Sequence, residues 1–98
     1  MAKRKKTIAL AVPVSVTTGV AKNISDVTSA VVQVYGTFTA TYQVMVSYDG
    51  TGFTQTGSNV TAAAAVTVPD AAMVVRIDCS AYTSGTPSAA CGGVVDEG

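Results

Sequence analysis

Between Thr37 and Ser47 the chain reads TFTATYQVMVS, an alternation broken only at Met45. Phe38, Ala40, Tyr42, Val44, Val46 and, one step on, Tyr48 share one parity, while Thr37, Thr39, Thr41, Gln43 and Ser47 share the other. Successive side chains of a strand point to opposite faces of its sheet, so this is a strand with one buried and one wet face. Tyr48-Asp49-Gly50-Thr51-Gly52 follows, then a second short strand, Phe53-Thr54-Gln55. Asp and Gly tolerate the positive φ of a tight turn, which makes the stretch a hairpin. A chain organised around such a unit belongs to the all-β class.

The remaining segments agree. Residues 7–16 read as a first strand with Ile8, Leu10, Val12, Val14 and Val16 on one parity, and Pro13 suggests an edge position or a bulge. A turn region covers residues 19–26, with room for a short strand over 20–24. Residues 29–35 (SAVVQVY) and 73–81 (MVVRIDCSA) are strands, and Gly36 is a break before the long one. Residues 60–68 (VTAAAAVTV) carry four alanines, but the flanking β-branched residues and Pro69 favour extended chain over helix. Residues 82–87 are a turn, 88–91 a last strand, and Gly92-Gly93 opens a polar tail. Seven to eight short strands at spacings of about ten residues predict a small antiparallel β-sandwich or jelly roll with an extended N-terminal arm. The expected division is a basic arm at residues 1–6, a sandwich at 7–93 and an acidic tail at 94–98.

Val, Ala and Thr supply nearly half of the 98 residues, Leu occurs once and Trp is absent. The core must therefore be built from small branched side chains and a few aromatics. A domain this small is marginal on its own, which points to oligomerisation or docking on a larger surface. Charged residues make up 12% of the chain, against roughly 25% in an average soluble domain. Net charge is zero, yet four of the six basic residues sit together as Lys3-Arg4-Lys5-Lys6, with Asp96 and Glu97 at the far end. The basic start and the apolar run TIALAVPVSV imitate a secretory signal. The run alternates with β periodicity, is broken by Pro13 and has no Leu-rich centre, so it is read as part of the domain. Cys79 and Cys91 are accordingly expected as reduced thiols. No stretch has the length of a membrane span.

There is no His, so neither a Ser-His-Asp nor a Cys-His arrangement can be assembled. Asp26, Asp49, Asp70, Asp78, Asp96 and Glu97 fall mostly in turns, outside any catalytic motif. Two Cys without His make a poor zinc site, and the Asp49 turn lacks the string of acids a calcium loop uses. No enzyme, metal or cofactor site is expected. The Lys3–Lys6 cluster could bind nucleic acid, but it has no interleaved aromatics and the body of the domain is neutral. An arm laid on a neighbouring protein is the favoured reading, with Asp96 and Glu97 of an adjacent copy as one possible partner. Arg76 lies opposite in parity to Val75, Ile77 and Cys79, as an exposed ladder charge or as half of an interface ion pair.

Two stretches carry a family resemblance. GTFTATYQVMVSYDGTGFTQTGS resembles the strand-turn-strand of small β-sandwich proteins of tailed-phage virions, where a Ser-x-Asp-Gly-x-x-aromatic turn follows an alternating strand. VVRIDCSAYTSGTPSA resembles their later strand, with a central Arg and a Tyr-Thr-Ser-Gly-Thr turn. The resemblance covers roughly residues 36–90 and implies a virion structural protein. The short, charge-poor chain with a basic start favours a capsid decoration (cement) protein on the outer surface of a phage head, assembled in the host cytoplasm. Its partners would be the major capsid protein and further copies of itself, not nucleic acid or a membrane. Lys3, Arg4, Lys5, Lys6, Thr7, Ile8, Arg76, Asp96 and Glu97 are the expected contact residues. Strand addition by residues 7–16 to a neighbour's sheet edge is one route to such a clamp. The alternatives are a tail or fibre subunit and a discoidin-like carbohydrate-binding module, whose sandwiches share the Ser-x-Asp-Gly turn.

Overall fold

The computed structural model describes residues 3–96, the last of them by its backbone. Eight strands follow in order: β1 (Lys3–Leu10), β2 (Lys22–Asn23), β3 (Thr28–Tyr35), β4 (Phe38–Ser47), β5 (Phe53–Gln55), β6 (Ala64–Thr67), β7 (Val74–Gly85) and β8 (Ser88–Asp96). They form two four-stranded antiparallel sheets, β1-β8-β3-β6 and β2-β7-β4-β5. Every link except β4–β5 crosses between the sheets, which gives the jelly-roll order. The all-β sandwich expected from the alternation is the observed fold.

The long β4 pairs with β7 along its whole length, with register shifts between Thr39 and Ala40 and between Thr41 and Tyr42. Alternation then decides what is buried. Tyr42, Val44 and Val46 of β4 meet Val32 and Val34 of β3, Val75 and Ile77 of β7 and Cys91 of β8, all essentially inaccessible. Burial pushes the Tyr42 phenol above its ordinary range, and its hydroxyl donates to the Pro13 carbonyl at 2.8 Å. Phe38 stacks edge-on against Tyr42, ring centres 5.4 Å apart.

Several boundaries differ from the sequence expectation. The first strand covers Lys3–Leu10 rather than residues 7–16, so residues 3–6 are the first half of an edge strand and not a separate arm. Its partner is the segment expected as a tail: β8 continues through Gly92-Gly93 to Asp96, with Lys3 opposite Asp96 and Lys6 opposite Gly93. Each end supplies the other's backbone hydrogen bonds, which is why neither peels off as coil. Val14 and Val16 lie beyond the strand and are 52% and 65% exposed. Tyr48 falls just past β4 and is exposed, while Ser47, expected on the wet face, is fully buried. The Ser47 hydroxyl is turned into the hairpin, where it accepts the Gly50 N–H at 2.8 Å. The strand expected over 73–81 runs on to Gly85, so only Thr86 and Pro87 remain as turn.

One strained residue marks a bulge. Ser29 has φ of 53° where the β3–β8 register shifts between Thr28 and Val31. Its N–H donates to Asp70 Oδ1 at 2.9 Å, which fixes a conformation that a non-glycine residue does not take unaided.

Candidate functional site

The basic cluster lies on β1, the outer strand of its sheet. Since Leu10 is buried, the even residues Arg4, Lys6 and Ile8 share the core-side parity, and Lys3, Lys5, Thr7 and Ala9 share the outer face. Ile8 is half-buried and packs on the core. Lys6 bends across to Asp26, in the β2–β3 connection, with Nζ 3.0 Å from Oδ2. That bond, ahead of the weaker fields of Lys6 and Arg4, holds the Asp26 carboxyl below its ordinary range. Lys3 and Lys5 are exposed and make no ion pair among the described residues.

Arg76 does not stand on the same surface. On the outer face of the second sheet its Nη2 donates to Asp78 Oδ2 at 3.1 Å, and Nε lies 2.9 Å from Oδ1. That Nε–H makes no hydrogen bond, and Oδ1 accepts the Gly19 N–H at 2.9 Å. The guanidinium carbon sits 3.9 Å from the centre of the Phe53 ring. Arg76 is therefore engaged inside its own chain, joining β5 to β7, while Asp78 ties in the loop before β2. The structure brings Lys3 to Ile8 together on one strand and leaves Arg76 apart from them. Asp96 belongs to this edge through its backbone register, and Glu97 lies outside the described residues.

Sequence reasoning missed the neighbouring outer face of β1-β8-β3-β6. Thr7, Gly92, Val31 and Thr67 form one row across it, and Ala9, Ala90, Gln33 and Ala65 the next. These small side chains leave a shallow hollow of about 270 Å³ lined by Thr7, Val31, Gln33, Ala65, Ala90 and Gly92. A second, of about 280 Å³, runs beside Lys5, Lys6 and Gly93. A third hollow, of about 530 Å³, lies between residues 57–60 and 64–67. None of the three is lined by an acid, a Cys or a Tyr. The signal for this face was present in the sequence as Gly92-Gly93 and the alanines, but Gly92-Gly93 was read as the opening of a tail.

No protein-family model matches this sequence and no curated protein resembles it. Among solved structures, the chain is similar to the SPBc2 prophage-derived protein YomS, with a TM-score of 0.73 over 97% of this chain and 95% of that one, at 13% identity. At that identity the likeness is one of fold.

Proposed function

We propose that this chain is a structural protein of a phage particle, a decoration protein that binds the outside of the capsid and bridges major capsid protein subunits. The observation that carries this reading is the jelly-roll fold shared with a prophage-derived protein over nearly the full length of both chains. Fold alone does not name a function. The chemistry of this chain adds that its hollows are lined without acids or thiols, and that its surface carries few charges. Such a surface suits adhesion by shape and backbone rather than turnover of a substrate. Two broad sheets give each copy two faces and two sides with which to bridge subunits against internal pressure.

The aromatics argue against the carbohydrate-binding alternative. Tyr42 is buried, Phe53 is covered by Arg76, and Tyr82 donates to the Gly85 carbonyl. Tyr35 and Tyr48 are half exposed, but Tyr35 ends β3 in one sheet and Tyr48 follows β4 of the other, so they build no common stacking platform. Counting copies in purified particles is the test. Hundreds of copies are expected; a few dozen or fewer would move the protein to the tail or fibre, and none would end the virion reading.

A further inference from the structure

A sandwich has four outer strands, and here three are short. β6 has four residues, and the Thr56 hydroxyl donates to the Thr67 carbonyl at its end. β5 has three, and beyond it the pairing to β4 is continued by Thr56 N–H on the Val44 carbonyl and by mutual bonds between Val60 and Tyr42. β2 has two, and upstream of it Thr17 exchanges two backbone bonds with Cys79 while Gly19 is held by Asp78. The fourth is β1. It has eight consecutive residues, all paired to β8 on one side, and residues 5–10 make no backbone bond on the other side among the described residues. In an antiparallel ladder, alternate residues of such a strand direct N–H and C=O outward, which is a template for a further strand.

Lysines on an open edge discourage indiscriminate pairing, and they also select what can pair. Lys3 and Lys5 project from the outer face at one end of β1, while Ile8 offers an apolar contact on the core side at the other. An incoming strand would match this edge with acidic residues at alternating positions on the outer face and an apolar residue beside Ile8. Among its described residues a second copy has no such strand to give: Asp26, Asp49 and Asp70 lie outside strands, Asp78 is bound to Arg76, and Asp96 ends β8, which is already flanked by β1 and β3.

We infer that the open edge of β1 takes up an extended acidic segment of a different protein as a fifth strand of the β1-β8-β3-β6 sheet. The decoration reading supplies a capsid subunit as that protein; the edge itself does not depend on it. The probe is a synthetic peptide of alternating Glu and Val, with its Lys–Val counterpart as control, added to the whole chain while amide hydrogen exchange is followed residue by residue. In the free protein every second amide of residues 3–10 exchanges fast. With the Glu–Val peptide that set slows by about tenfold or more, and with the Lys–Val peptide it does not. K3E/K5E together abolish the slowing without changing the protected set. Equal slowing by both peptides, or by neither, would overturn the inference. Exchange on purified particles then separates the two proposals. Copies on the particle whose alternate β1 amides stay fast refute edge pairing and leave decoration standing. Slowing by the peptide in a protein absent from particles retains the edge and refutes decoration.

Discussion

The Asp49 carboxylate organises the β4–β5 hairpin by accepting three hydrogen bonds at one oxygen. The Thr51 and Gly52 amides donate to Oδ1 at 2.8 and 2.9 Å, and the Ser47 hydroxyl at 3.1 Å. Those amide bonds favour the charged form and hold the carboxyl below its ordinary value of 3.8. A carboxyl with a lowered folded value stabilises the protein in full above the unfolded value and loses that contribution as pH falls through the folded one. Asp49→Asn keeps an acceptor but removes the titration. The expected result is a lower urea midpoint at neutral pH, and a gap between wild type and variant that closes as pH drops below about 4. A gap of constant size down to about pH 2 would show that the charge plays no part. Asp49 was legible as a turn residue from Asp-Gly. The inward rotation of Ser47 was not, because parity places it on the wet face and only the turn's need for acceptors reverses that.

At the scale of the strands, β8 shows where small residues are a requirement and where they are a choice. Gly93 faces the sandwich interior beneath the β3 bulge, and a Cβ there would run into Val27 Cγ1 and lie 2.8 Å from the Thr28 carbonyl oxygen. Its neighbour Gly92 faces outward with nothing within 4 Å of a Cβ. Gly93→Ala is therefore expected to cost about 1–3 kcal/mol through forced backbone shifts, while Gly92→Ala is neutral or stabilising by up to about 1 kcal/mol. Chemical denaturation of the two variants checks the contrast, and equal effects would refute the packing argument. The same pair explains what the sequence conceals. β3, β4 and β7 announce themselves because each has one apolar face. The start of β1 and the end of β8 have no such face to show: one is charged because it is an edge, the other small because a neighbour crowds it. Val14 and Val16 err in the opposite direction, alternating like a strand where no partner strand exists. The candidate contact residues Lys3 to Ile8 were found by charge, but that they form a strand with an open backbone edge depends on a partner 80 or more positions away in the chain.

At the scale of the molecule, the two thiols report how the sandwich opens. Cys79 lies in β7, between β2 and β4, and Cys91 in β8, between β1 and β3; both are free and buried. Cys79 Sγ is engaged with the Ala81 carbonyl at 3.2 Å, and burial pushes the Cys91 thiol up, so neither is a reactive thiolate in the folded sandwich. A core of valines in thin sheets gives cooperativity rather than large stability, since each fully buried side chain of this size contributes only about 1.5–3 kcal/mol. Both thiols should therefore be modified by an aromatic disulfide reagent at one common slow rate, set by global opening and rising in parallel with urea. The two are not equivalent toward partial opening. Cys91 stands opposite Ile8 on β1, so detachment of that strand uncovers Cys91 and leaves Cys79 covered. Modification of Cys91 well ahead of Cys79 would mean that β1 comes away as a unit and its outer edge is not a fixed template. Coincident rates place the edge on a strand that remains in the sheet until the whole sandwich unfolds, which is the condition an incoming strand requires.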